Sequence, residues 1–199
     1  PVVAFVNLKK SEQLKLFMEI NLNQKPVPKA LRNILEIDVY YDSEDKKLAQ
    51  GALLGKIAKH LGEDNNGALR GRVVIGEDAT TKRCCITIEN IKLALEKTNF
   101  FNKLKKNGQI QPNGEGIFDK NNNDQTFETV YPILKRFFNC IKNEFPDEWN
   151  MDDSFYVKNN LIGGLIRILN DMIMINYEKD NSIILNPDML WAKLEDFMM

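Results

Sequence analysis

The sequence predicts a mainly α protein: a helical bundle with a small β-ribbon and a strand-helix element at its front. Apolar residues recur at three- and four-residue spacing through most of the chain. That rhythm breaks between Glu63 and Thr87, where two short β-branched runs lie. Pro1–Leu8, by contrast, is a β-rich run with no partner run close after it. A lone strand cannot satisfy its backbone in water, so the chain is expected to begin inside a larger domain.

Ser11 is placed to cap a helix with Leu14, Leu16, Phe17, Met18 and Ile20 on a broad apolar face, ended by Pro26. Pro28 suits the first turn of a second helix, Lys29–Ile37. A third is expected from Asp42 or Ser43 to Leu61, with Leu54, Ile57, Ala58 and Leu61 inward and Gly62 as its stop. Arg72–Ile75 and Arg83–Ile86 read as a two-stranded hairpin, after which Thr87 caps a helix holding Ile88, Ile91, Leu93, Ala94 and Leu95.

Residues 105–124 carry Gly108, Pro112, Gly114, Gly116 and an Asn121–Asn123 run, which reads as a flexible polar connector. Phe127, Val130, Tyr131, Leu134, Phe137, Phe138 and Ile141 then form a helical stripe that must tolerate Pro132. A further helix is expected over Phe155–Tyr177, with Asp152-Asp153 as its cap, and a last one over Asp188–Phe197. Two units follow from this reading: 1–41, the strand-helix front, and 42–199, the helical part.

Composition agrees with a globular chain, at 28% charged and 43% hydrophobic residues. No apolar run is long enough to span a membrane, and the first residues lack the pattern of a secretion signal, so a cytoplasmic location is expected. Cys84 and Cys85 are adjacent and Cys140 stands alone, which argues for thiols rather than a disulfide. With His60 the only histidine and no Cys-x-x-Cys spacing, no metal site is predicted. The same scarcity leaves no Ser-His-Asp or Cys-His arrangement, and no catalytic residue is assigned.

The front segment resembles the end of the DGQHR domain, a bacterial family related to the ParB-like fold and to regulators of DNA sulfur modification. The resemblance rests on the Pro1–Val6 strand, the helix with Phe17-Met18-Glu19-Ile20-Asn21, and the turn Gln24-Lys25-Pro26-Val27. It extends more loosely through Ala68–Val74, Ile86–Ile91, Phe145–Trp149 and Leu161–Leu169, and so covers nearly the whole chain. The naming motif Asp-Gly-Gln-His-Arg lies upstream of the strand in that family and is absent here. The resemblance therefore implies a C-terminal portion lacking that motif, with a remnant of a ParB-like α/β domain over 1–41.

In ParB-like proteins a Glu-Asn-x-x-Arg turn helps to bind a nucleotide's phosphates, because amide and guanidinium both donate to the anion. The matching positions are Ile20, Asn21 and Gln24, so the carboxylate and the arginine are both replaced. Lys25 restores a positive charge, as a point charge rather than a fork. Asn21, Gln24 and Lys25 are the candidate phosphate-binding residues. The plainer reading keeps Asn21 as a helix terminator and Lys25 as a solvated lysine.

Charge is uneven. In residues 1–35, Lys9, Lys10, Lys15, Lys25, Lys29 and Arg32 face only Glu12 and Glu19, a net +4 in a chain of net −1. A basic front suits DNA or a nucleotide. Arg70 and Arg72 flank Gly71 and offer a phosphate grip or ion pairs with Glu63 or Glu77. Lys103, Lys105 and Lys106 read as the basic end of a helix. Trp149 and Trp191 read as core anchors.

Three functions are expected, the first of them implied by the resemblance. The first is a DNA-linked role in modification, defence or mobile-element biology, with binding rather than catalysis in this chain. A nucleotide-handling enzyme with its active residues upstream is the second, and a helical module for protein interaction the third. Cofactors are unassigned. The Val2–Val6 edge invites pairing with a second copy.

Overall fold

The computed structural model describes Leu8, Glu12, Gln13, Leu16, Phe17, Glu19, Ile20 and residues 29–76, 78–182 and 187–198. The Val2–Val6 edge therefore lies outside the described residues. The fold is mostly helical, with one small two-stranded sheet. In chain order come α1 (Lys29–Tyr40), α2 (Lys46–Glu63), β1 (Val73–Val74), β2 (Ile86–Thr87), α3 (Ile88–Glu96), α4 (Asn123–Glu144), α5 (Pro146–Asn150), a 3-10 turn (Phe155–Val157), α6 (Asn159–Lys179) and α7 (Pro187–Met198). Among the described residues no helix is long and apolar enough to cross a membrane.

The core follows the apolar stripes. Leu54, Ile57, Ala58 and Leu61 of α2, Val130, Leu134, Phe137 and Phe138 of α4, and Ile162, Ile166 and Leu169 of α6 belong to one buried cluster. Thr87 caps α3 as its position predicts, its hydroxyl accepting from Asn90 N–H at 3.2 Å. α4 runs unbroken past Pro132. That proline is exposed, on the side where the carbonyl left without its helical partner is open to solvent.

The structure corrects five expectations. The two short strands pair in parallel, Val73 with Ile86 and Val74 with Thr87, rather than as a hairpin. The second strand runs parallel to the first because Ile86 and Ile88 are buried and Thr87 must open α3. The carbonyl of Arg72 then accepts from both Cys85 and Ile86.

Gly62 does not stop α2, whose cap is Asp64. A Cβ on Gly62 would sit 2.7 Å from Val73 Cβ, so the glycine lets β1 approach the helix. The Phe155 helix is interrupted: the 3-10 turn ends at Val157 and α6 starts at Asn159. Ser154, not the two aspartates, caps that turn, accepting from Tyr156 N–H at 3.2 Å. Asp152 pairs with Arg83 at 3.2 Å, and Asp153 with Lys158.

Residues 105–124 hold a folded excursion. Leu104 and Ile110 form an antiparallel bridge, Ile117 and Phe118 N–H donate to the carbonyls of Asn99 and Phe100, and Phe118 is buried. A Cβ on Gly116 would meet the carbonyl carbon of Phe101 at 2.3 Å, so glycine is required for this contact. The composition of the segment concealed these tertiary contacts.

Candidate functional site

Asn21, Gln24 and Lys25 lie outside the described residues. The other expected phosphate grip is dismantled. Arg72 is buried at 2% exposure, with its guanidinium donating to Trp149 O at 2.8 Å and Met151 O at 3.0 Å. Burial and the neighbouring Arg83 disfavour its charged form, partly offset by Asp152. The Trp149 indole in turn donates to Ala68 O at 3.0 Å. This arginine is a clamp between β1 and α5, not a ligand-facing cation. Arg70 lines a separate surface recess together with Glu63 and Asp78.

His60 sits one turn before the end of α2. Its Nδ1 lies 2.9 Å from Lys56 O, and its ring stands edge-on to Phe127 and Tyr131 at 5.0 and 5.9 Å. Beside it, Asp64 receives Lys135 Nζ at 2.7 Å, the Tyr131 hydroxyl, and Asn66 N–H at 2.8 Å. These bonds, the lysine's first, lower the Asp64 carboxyl to about 2. Burial and Asp64 push the Tyr131 phenol upward. The cluster ties the end of α2 to α4.

A depressed folded-state pKa adds stability above the ordinary carboxylate range that is lost as pH falls toward 2. Asp64→Asn is expected to cost about 1 kcal/mol above pH ~5, a figure reduced for water at this partly exposed carboxylate. The difference from the parent should shrink as pH falls from about 4 to 2. Urea titrations of both proteins across that window check it.

Two clefts remain. The larger, of 410 Å³, lies where the start of α2 meets the 102–123 segment, and its lining includes Asp42, Glu44, Asp119 and Lys46. Its carboxylates outnumber its cation, which disfavours a phosphate. The smaller, of 230 Å³, runs between α3 and α6. Asn90 and Ala94 of α3 and Lys97 at its C-terminal cap line one side; Asn160, Gly163, Gly164 and Arg167 follow one face of α6.

Asn90 and Asn159 fix the two helices: Asn90 Nδ2 donates to Asn159 O at 2.5 Å, and the Asn159 amide bonds Thr87 N at 2.9 Å and Cys85 O at 3.1 Å. Gly163 leaves 3.8 Å to Ala94 Cβ from where its own Cβ would lie, and Gly164 faces open space. This groove carries two cations and no carboxylate in its lining, in a chain of net −1.

Sequence reading missed the groove because Lys97 and Arg167 are far apart in the chain. The retrievable signal was Gly163-x-x-x-Arg167, a bare backbone and a guanidinium one helical turn apart. Lys103, Lys105 and Lys106, expected as the basic end of a helix, lie in non-helical chain because α3 ends at Glu96; the Lys103 Nζ reaches back to Glu96 O and Thr98 O, each at 2.5 Å. Cys84, Cys85 and Cys140 form no disulfide. Among the described residues no group of three or more metal-ligating side chains converges. Compared with protein-family models, with curated proteins and with solved structures, the chain has no match.

Proposed function

We propose that this chain is the C-terminal portion of a DGQHR-domain protein with a DNA-linked role, binding phosphate-bearing ligand rather than transforming it. The observation that carries the reading is the acid-free groove between α3 and α6, lined in part by Gly163 and Gly164 of the Leu161–Leu169 stretch that the resemblance covers. Cations, amide donors and exposed backbone are what a nucleic-acid phosphate requires. At 230 Å³ the groove admits a phosphate and part of its sugar rather than a whole nucleotide.

Support also comes from how the resembling segments meet. Ala68 O accepts from Trp149, and Arg72 from the first segment clamps Trp149 and Met151. Gly163 lies against Ala94, just past the Ile86–Ile91 segment. Segments distant in sequence are thereby packed on one another, as residues specifying a shared fold would be.

The proposal extends to the front of the chain, where Asn21, Gln24 and Lys25 supply a second phosphate contact beside the basic residues 1–35. Lys25→Ala is then expected to weaken duplex-DNA or nucleotide binding by about 1–2 kcal/mol with stability nearly unchanged, the scale of one charge-assisted hydrogen bond. Fluorescence anisotropy with a labelled duplex, at low salt where electrostatics are largest, tests both regions. The double variant Lys97→Glu/Arg167→Glu should bind at least tenfold more weakly. Equal affinity of the parent and this variant would remove the groove from the account.

A further inference from the structure

The geometry points to the 410 Å³ cleft between the start of α2 and the 102–123 segment as a site for an amine-bearing nucleobase or nucleoside without its phosphate. The cleft lies within the size range of small-molecule sites, and the groove between α3 and α6 plays no part in it. Its lining includes apolar Leu53, Leu104 and Ile110, which suit the face of a flat ring, together with amides and carboxylates.

The amides are held in place by the fold itself. Gln50 Nε2 donates to Asn102 O at 2.8 Å, and Asn123 Nδ2 to Tyr41 O at 2.6 Å and Ala49 O at 3.1 Å. Asn102 Oδ1 accepts from Gly116 N at 2.8 Å, and its Nδ2 donates to Asn121 Oδ1 at 3.4 Å. Each amide has two donors and two lone pairs. These bonds leave Gln50 its carbonyl oxygen and one N–H, and leave Asn123 its carbonyl oxygen, for a ligand.

Carboxylate chemistry narrows the class. Asp119 is pinned by Asn102 N at 3.1 Å and Asn121 N at 2.8 Å, and Asp42 and Glu44 share the lining with Lys46 alone as cation. Carboxylate and amide oxygens accept from an exocyclic amine, as side chains of these types do when they read adenine or cytosine edges. The same negative excess repels a phosphate. The occupant is therefore a base or nucleoside, selected against its nucleotide.

Calorimetric titration of the full chain with adenosine, cytidine, uridine and adenosine monophosphate tests this. Adenosine or cytidine is expected to bind saturably, with uridine and the monophosphate at least tenfold weaker. Ile110→Trp, which fills the cleft, should abolish binding. The exposed change Glu44→Lys should narrow the gap between adenosine and its monophosphate while the thermal midpoint stays put. Absence of binding by both amine-bearing nucleosides, or a monophosphate that binds as tightly as adenosine, overturns the assignment. Duplex binding through Lys97 and Arg167 would be untouched by that result.

Discussion

Arg72→Met is expected to destabilise the protein by about 3 kcal/mol, measured by urea denaturation, although methionine keeps the length and most of the apolar stem. The guanidinium donates to two main-chain carbonyls from a buried position, Trp149 O at 2.8 Å and Met151 O at 3.0 Å. Methionine offers no donor, so both carbonyls lose their partner in a region where burial makes that costly. The loss should spread to α5, whose Trp149 is anchored on Ala68 by the same node. A change under about 1 kcal/mol would mean that water takes over both bonds.

Gly116→Ala is the other large effect, again about 3 kcal/mol, at the upper end for one added methyl. The new Cβ would lie 2.3 Å from Phe101 C and 2.6 Å from Asn102 N, both main-chain atoms that no rotamer can clear. The neighbouring backbone is itself tied, through Gly116 N to Asn102 Oδ1 at 2.8 Å and Phe118 N to Phe100 O at 3.1 Å. Gly51→Ala is the control: it lies within α2 with nothing within 4 Å of its Cβ position, and should stabilise by about 0.5–1 kcal/mol. Thermal and urea midpoints of the two variants should move in opposite directions.

The helical part of this fold was legible because α2, α3, α4 and α6 each bury a continuous stripe, because Thr87 acts through a local cap, and because the size of Trp149 alone argues for burial. The β-ribbon was legible as two β-branched runs but not as a parallel pair. Its direction is set by where Ile86 and Ile88 enter the core and by Thr87 opening α3, which no local pattern encodes. Arg72 read as a surface cation because nothing in its neighbourhood announces that α5 will close over it. Gly62 and Gly116 read as punctuation, whereas their role is close approach between backbone segments.

The candidate site was less legible than the fold. Turn residues such as Asn121–Asn123 looked like linker chemistry, yet Asn122 caps α4, accepting from Gln125 N at 2.9 Å, and Asn123 holds the carbonyls of Tyr41 and Ala49. Lys97 and Arg167 come together only once α3 and α6 pack. A chain of net −1 also hides a local groove of opposite sign, because composition averages over faces.

The measurement that tests the account most directly is the salt dependence of duplex-DNA binding by the full chain and by Lys97→Glu/Arg167→Glu. Each phosphate contact contributes about −0.9 to the slope of log affinity against log salt concentration. Two contacts in the groove predict a slope for the parent that is steeper by about 1.8, together with tighter binding at low salt. Parallel slopes with equal affinities would contradict a phosphate site between α3 and α6.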